Sequence, residues 1–180
     1  MKKRRVFSFL FAVILILSLL TVTAFAQERP KKVISITGRG LVQLYQEEVG
    51  VTSALFRGAI GLEYEKVRSA SSSFYVVPAI SFGEGIMGIR GRVGLKNYAN
   101  ATAPEGFWWG FYADAGLAAD WGIALAIAGA GLNVGYKYFL PRNFTAEWSL
   151  GLMYLYRSGG ILPAIGGVAP SVAFKVGYAF

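Results

Sequence analysis

The chain has 180 residues, with 18 Lys and Arg against 10 Asp and Glu, and it contains neither cysteine nor histidine. This composition excludes a disulfide framework, a thiolate metal site and a lipid-modified amino terminus, and it removes the commonest general base and metal ligand. The formal charge of +8 falls to about +4 once the four basic residues at positions 2–5 are subtracted. Charge is therefore a poor argument for a nucleic-acid partner, and we expect none.

The first 26 residues have the layout of a secretory signal peptide. A basic head, Met1–Arg5, precedes the apolar run Val6–Leu20, and the small residues of Thr21–Ala26 follow. The apolar run is about fifteen residues long, which is short of the roughly 20 that a helix needs to cross a bilayer. We therefore expect cleavage after Ala26 and export of one domain, residues 27–180, rather than retention of a helical anchor.

Eight segments of the exported part alternate apolar residues with small or polar ones, at the period of two that a strand requires. Their lengths suit tilted strands that cross a membrane, and an even number of them closes an antiparallel barrel. The sequence thus predicts an all-β fold, an eight-stranded antiparallel transmembrane β-barrel. The segments lie near residues 33–48, 53–67, 73–82, 86–97, 107–119, 123–138, 143–156 and 168–180.

Each segment has a broad apolar face and an opposite face that mixes glycine with a few charges. In the sixth segment, the second face carries Gly129, Gly131, Asn133 and Lys137. In a narrow barrel, such glycines leave room for long inward side chains, which must pair because an unpaired buried charge is costly. We predict a polar network that plugs the lumen and consists of Arg39, Glu47, Arg57, Glu63, Glu65, Arg90, Arg92, Lys96, Asp114, Glu147 and Lys175.

Aromatic residues lie near the strand ends on the apolar faces, where a membrane protein places its interfacial girdle. The predicted girdle consists of Trp109, Tyr136, Tyr138, Trp148, Tyr154 and Tyr156. The last segment carries Phe174, Val176, Tyr178 and Phe180 on one face. In water such a terminal strand is an aggregation hazard, whereas in a membrane barrel it is the closing strand and its apolar face meets lipid.

A family resemblance rests on the stretches Gly61–Glu65, Pro104–Tyr112 and Gly135–Tyr138 and on the terminal Phe180. With these residues the chain resembles the small eight-stranded outer-membrane barrels that include the OmpA transmembrane domain and OmpX, and above all a widespread family of small bacterial barrels. The resemblance implies residence in the bacterial outer membrane, where we expect a monomer in contact with outer-membrane lipid. It also implies insertion by the barrel-assembly machinery, which would read Phe174, Val176, Tyr178 and Phe180. It implies no reaction and no cofactor.

The resemblance and the turn residues together predict the topology. Both ends are expected in the periplasm, with inner turns at Val67–Ser73, Tyr98–Gly106 and Phe139–Asn143. The outer loops are then Val49–Thr52, Gly83–Gly85, Ala119–Gly122 and Arg157–Gly167. Only the last has appreciable length, and its many glycines favour a flexible connector over a binding element.

Three functions remain open from the sequence. The favoured one is a structural role in the cell envelope, with a plugged lumen and no catalysis. The first alternative is a narrow ion-conducting porin. The second is a soluble periplasmic carrier of lipocalin type, in which the apolar faces of the strands point into the barrel and the charged faces point into water. Glu63 and Glu65 share a face like an acid–base pair, but the lipid-modifying barrels use a histidine that this chain lacks.

Overall fold

The computed structural model describes residues 30–46, 52–83, 86–120, 123–159 and 162–180, and the predicted signal peptide lies outside them. This part of the chain contains two 3-10 turns, at Ala99–Ala101 and Pro141–Asn143. The eight strands are β1 (Lys32–Gln46), β2 (Thr52–Ser69), β3 (Ser72–Gly83), β4 (Ile86–Tyr98), β5 (Gly106–Asp120), β6 (Ile123–Phe139), β7 (Phe144–Gly159) and β8 (Leu162–Ala179).

The strands form one closed barrel in which each pairs antiparallel with the next and β8 pairs with β1. The closing ladder runs from Val33 opposite Ala179 to Leu41 opposite Ser171. Just beyond it, Lys32 and Phe180 exchange both backbone hydrogen bonds, at N···O distances of 3.0 and 2.8 Å. The chain's last strand therefore removes the free edges that an open sheet would present. The predicted eight-stranded antiparallel barrel is confirmed.

The apolar faces point outwards and the charged faces point inwards. Leu132 and Phe174 are 65% and 67% exposed on the outer surface, whereas Glu65, Lys96 and Lys137 are fully buried in the lumen. A barrel that lives in water has the opposite arrangement, so the face assignment of the lipocalin-type alternative is wrong. An apolar outer wall around a polar interior is the arrangement of a barrel that crosses a membrane.

The turns predicted at Val67–Ser73, Tyr98–Gly106 and Phe139–Asn143 are present at those positions. The β2–β3 turn is at Ala70–Ser71, and the two 3-10 turns join β4 to β5 and β6 to β7. Asn100 has a φ of 61°, a left-handed conformation that Asn tolerates better than most residues. We call the end of the barrel that carries these turns the turn end.

No helix in the described part of the chain is long and apolar enough to cross a bilayer.

The loop predicted at Arg157–Gly167 is much shorter than expected. β7 continues to Gly159 and β8 begins at Leu162, with Arg157 paired to Ile165 across the hairpin. Side-chain alternation could not reveal these strand ends, because glycines at 159, 160, 166 and 167 interrupt it. The other three predicted outer loops lie mostly outside the described residues.

A charge placed on the outer wall tests whether that wall faces lipid. Leu132→Arg, near the middle of β6, should lower the free energy of unfolding by about 2–4 kcal/mol, because an arginine there must be taken into hydrocarbon. Phe144→Arg is the matched control, because it lies at the turn end and should cost about 0–1 kcal/mol. Urea unfolding in phospholipid vesicles, followed by tryptophan fluorescence, measures both. Equal and small losses would contradict a lipid-facing wall.

Candidate functional site

Among the described residues, the inward side chains form two charged groups in the lumen. The lysine–glutamate cluster lies towards the turn end and consists of Glu63, Glu65, Lys96, Lys137, Glu147 and Lys175. The arginine cluster lies farther from the turn end and consists of Arg39, Arg90, Arg92 and Asp114. The two groups differ in charge balance, since the first has three bases for three acids and the second has three bases for one.

The ammonium of Lys96 is the centre of the lysine–glutamate cluster. It donates to Glu63 Oε1 at 2.8 Å, to Glu65 Oε2 at 2.6 Å and to Glu147 Oε2 at 2.9 Å. All three hydrogen-bonding capacities of that ammonium are therefore used. Because each partner is charged, these bonds are stronger than neutral ones.

Two further lysines complete the cluster. Lys175 Nζ lies 2.5 Å from Glu147 Oε1 and 2.7 Å from Glu63 Oε2. Lys137 Nζ bonds to Glu65 and lies 3.0 Å from Glu147 Oε2. Every carboxylate thus meets two or three ammoniums, and the six charges cancel.

Strand register explains why these residues meet. Glu147 on β7 is directly opposite Lys137 on β6 and Lys175 on β8, so a single acid has a base on each neighbouring strand. Cross-strand pairs of opposite charge stabilise a sheet. Lys96 on β4 pairs with Ser73 on β3 and reaches the cluster across the lumen.

Hydroxyl groups and aromatic rings enclose the cluster. Ser73 and Tyr98 donate to Glu65 Oε1 at 2.5 and 2.6 Å. Lys96 Nζ lies 4.9 Å from the ring centroid of Trp108 and 5.2 Å from that of Tyr75, within the range of cation–π attraction. Trp108 is fully buried, so these cation–π contacts lie away from bulk solvent.

Glycines on neighbouring strands make room for the inward rings. A Cβ on Gly94 would lie 2.5 Å from the ring of Tyr75, and one on Gly135 would lie 2.7 Å from the ring of Trp108. No other residue fits at either place without displacing the ring. This close approach accounts for glycine at these two positions.

The three glutamates are close enough to be considered as metal ligands. Carboxylate oxygens of Glu63, Glu65 and Glu147 lie within 4.8 Å of one another. Oxygens of these three carboxylates already accept hydrogen bonds from the ammoniums of Lys96, Lys137 and Lys175, which occupy the space that a cation would need. The geometry is that of an ion-pair core and does not fit a metal site.

In the arginine cluster, Asp114 accepts from two arginines. Arg90 Nε donates to Oδ1 at 2.9 Å, while Arg92 donates from Nε and Nη2 to Oδ2 at 3.0 and 2.6 Å. Arg39 Nη1 lies farther away, at 3.8 Å from Oδ2. The guanidinium of Arg92 also stacks on the ring of Tyr112, 3.6 Å from its centroid. Arg92 lies directly opposite Asp114 in the β4–β5 ladder, which explains the tight pair.

Most residues of the predicted lumen network lie in these clusters. Glu47 lies outside the described residues, and only the backbone of Arg57 is described, within β2. The prediction omitted Lys137, although this lysine lies on the same face of the sixth segment as Asn133 and could have been included for that reason. Ser73, Tyr75 and Tyr98 were also missed, because a single serine or tyrosine on a strand carries no signal of a charged partner.

The predicted girdle and closing-strand residues all lie on outward faces. Trp109 and Trp148 are exposed near the turn end, and Tyr154 and Tyr156 are exposed farther from it. The rings of Tyr136 and Tyr138 partly cover each other. The outward face of β8 carries Phe174, Val176 and Tyr178, and the exposed Phe180 follows the strand.

Comparison with known proteins finds solved structures that are similar to this chain. No protein-family model matches the sequence, and no curated protein matches it. The solid-state NMR structure of the outer membrane protein AlkL in DMPC lipid bilayers is similar, with a TM-score of 0.47 and 8% sequence identity. The match covers 88% of this chain and 94% of that chain. A likeness of this size says nothing about the function of this chain.

Removing one acid from the lysine–glutamate cluster tests its energetic role. Glu147→Leu leaves three ammoniums short of a partner and should lower the free energy of unfolding by about 3–5 kcal/mol. Glu105→Leu, at an exposed turn position, is the matched control and should change stability little. Urea unfolding in vesicles measures both variants.

A double variant separates charge from packing. In Glu147→Leu/Lys175→Leu, one of the stranded ammoniums is removed, so the loss should be smaller than the sum of the two single losses. Strict additivity, or an unchanged unfolding midpoint in Glu147→Leu, would contradict a paired core.

Proposed function

We propose that this protein is a monomeric outer-membrane barrel with a structural role in the cell envelope, and that its lumen is closed and non-catalytic. The observation that carries the proposal is the lysine–glutamate cluster. Its side chains are at most 4% exposed, and the three lysines interlock with acids from β2 and β7 across the barrel. A lumen filled in this way provides a rigid core and no passage.

The outer-membrane location rests on the outward apolar wall and on the sequence. The amino-terminal signal would export the chain, and the aromatic closing strand would be read by the barrel-assembly machinery during insertion. Phe174, Val176, Tyr178 and Phe180 are all exposed on the outer surface of the barrel, where such machinery could bind them. Outer-membrane lipid would then surround the wall.

The chemistry of the lumen supports a role without catalysis. A general acid or base needs a proton-carrying group within reach of a substrate. Here the glutamate oxygens are occupied by ammoniums, and the cluster is sealed by Trp108 and Tyr75. Glu63 and Glu65 are therefore better explained as members of an ion-pair core than as a catalytic acid–base pair.

A narrow ion-conducting path is the alternative function. Conduction would require the pairs around Lys96 to exchange partners and open a continuous passage. Lys96 makes three bonds, so opening would break several charge-assisted bonds at once. The closed core therefore favours the structural role.

Planar-bilayer recording tests the proposal. The wild-type barrel should give no stepwise conductance at either polarity, because the lysine–glutamate cluster blocks the lumen. The comparison is Lys96→Ala/Trp108→Ala, which removes two side chains that fill the lumen and should be leakier. Faster gel migration before boiling confirms that both preparations are folded. Wild-type channels whose conductance changes with lumen charge would overturn the closed-lumen proposal in favour of the porin.

A further inference from the structure

The arginine cluster has more positive charge than its described partners can neutralise. Arg39, Arg90 and Arg92 surround the single carboxylate of Asp114. The side chains of Arg90 and Arg92 are 6% and 3% exposed, so bulk water does not screen them. Within the part of the chain that the structure describes, the cluster thus has a surplus of two positive charges. Such a surplus is costly in a buried place.

Each of the three arginines also has a buried nitrogen without an acceptor. These atoms are Arg39 Nε, Arg90 Nη2 and Arg92 Nη1, and none has a hydrogen-bond partner among the described residues. The hydroxyl of Thr37 beside them is unpartnered as well. Buried donors in folded proteins are nearly always satisfied, so several together point to a missing acceptor.

A small cavity lies among these donors. Its volume is about 20 Å³, and its wall includes Thr37, Asp114 and all three arginines. A cavity of this volume holds one particle of about the size of a water molecule. Organic anions and phosphate are too large for it.

We propose that this cavity binds one small monovalent inorganic anion, with chloride as the physiological occupant. An anion accepts hydrogen bonds from several donors at once and also reduces the surplus charge. A water molecule would satisfy some of the donors but would leave both surplus charges in place. The site goes beyond the closed lumen of the proposed function, because the lysine–glutamate cluster is neutral by itself and needs no added ion.

Anion-dependent stability tests the site. The wild-type barrel is unfolded with urea in vesicles at constant ionic strength, while sodium chloride or sodium bromide replaces sodium gluconate. The halides should raise the unfolding midpoint in a saturable way, because an ion that binds only the folded state stabilises it. At about ten times the dissociation constant, the unfolding equilibrium constant should fall about tenfold.

Three variants locate the effect. Arg39→Gln removes one guanidinium from the cavity and should abolish most of the halide dependence. Thr37→Val keeps every charge and should weaken the dependence less. Lys66→Gln, which removes an exposed cation outside the barrel, is the matched control and should keep the wild-type response.

Two results would overturn the proposal. One is equal midpoints in gluconate and halide, and the other is a halide dependence that is the same in Arg39→Gln and Lys66→Gln. Should Arg39→Gln fail to fold, crystals of the wild-type protein grown with sodium bromide decide the matter. An anomalous peak among Arg39, Arg90 and Arg92 supports the site, and its absence overturns it. The presence or absence of a bound anion does not determine whether the lumen conducts. The anion site and the closed lumen can therefore be contradicted independently of each other.

Discussion

The need to pair every charge in a narrow lumen governs this structure. An eight-stranded barrel is just wide enough for side chains to fill its interior, so the inward residues form its core. The outer wall must be apolar to face lipid, and burial of apolar side chains therefore cannot hold the core together as it does in water. Here the core consists of interlocked ammoniums and carboxylates, with Lys96 bonded to three acids at its centre.

The lysine–glutamate cluster also depends on the shape of the wall. Glu147 meets Lys137 and Lys175 because the β6–β7 and β7–β8 ladders place them side by side, and Trp108 closes over the cluster because Gly135 leaves room for its ring. Charge, register and glycine placement therefore constrain one another. The arginine cluster is not balanced in this way, because its three bases have a single acid among the described residues, and this imbalance is the basis for the proposed anion site.

Much of the fold can be predicted from the sequence, because strand alternation with a period of two places each residue on one of two faces. That pattern correctly assigns Leu132 and Phe174 to the outer wall and Glu65 and Lys96 to the lumen. It fails for the β7–β8 hairpin, where glycines have no side chain to alternate. It also cannot show which acid meets which base, since partners such as Lys96 and Glu147 lie 51 residues apart and meet only when the barrel closes.

The central claim is that the lysine–glutamate cluster is a closed core of direct ion pairs, and solid-state NMR tests it most directly. Protein labelled with ¹⁵N at lysine Nζ and ¹³C at the glutamate carboxyl is reconstituted in bilayers and transferred to deuterated buffer. The account predicts close-range Nζ–carboxyl correlations for Lys96, Lys137 and Lys175, together with ammonium protons that resist exchange. Absent correlations and immediate exchange of all three ammoniums would show a hydrated, open lumen and contradict the account.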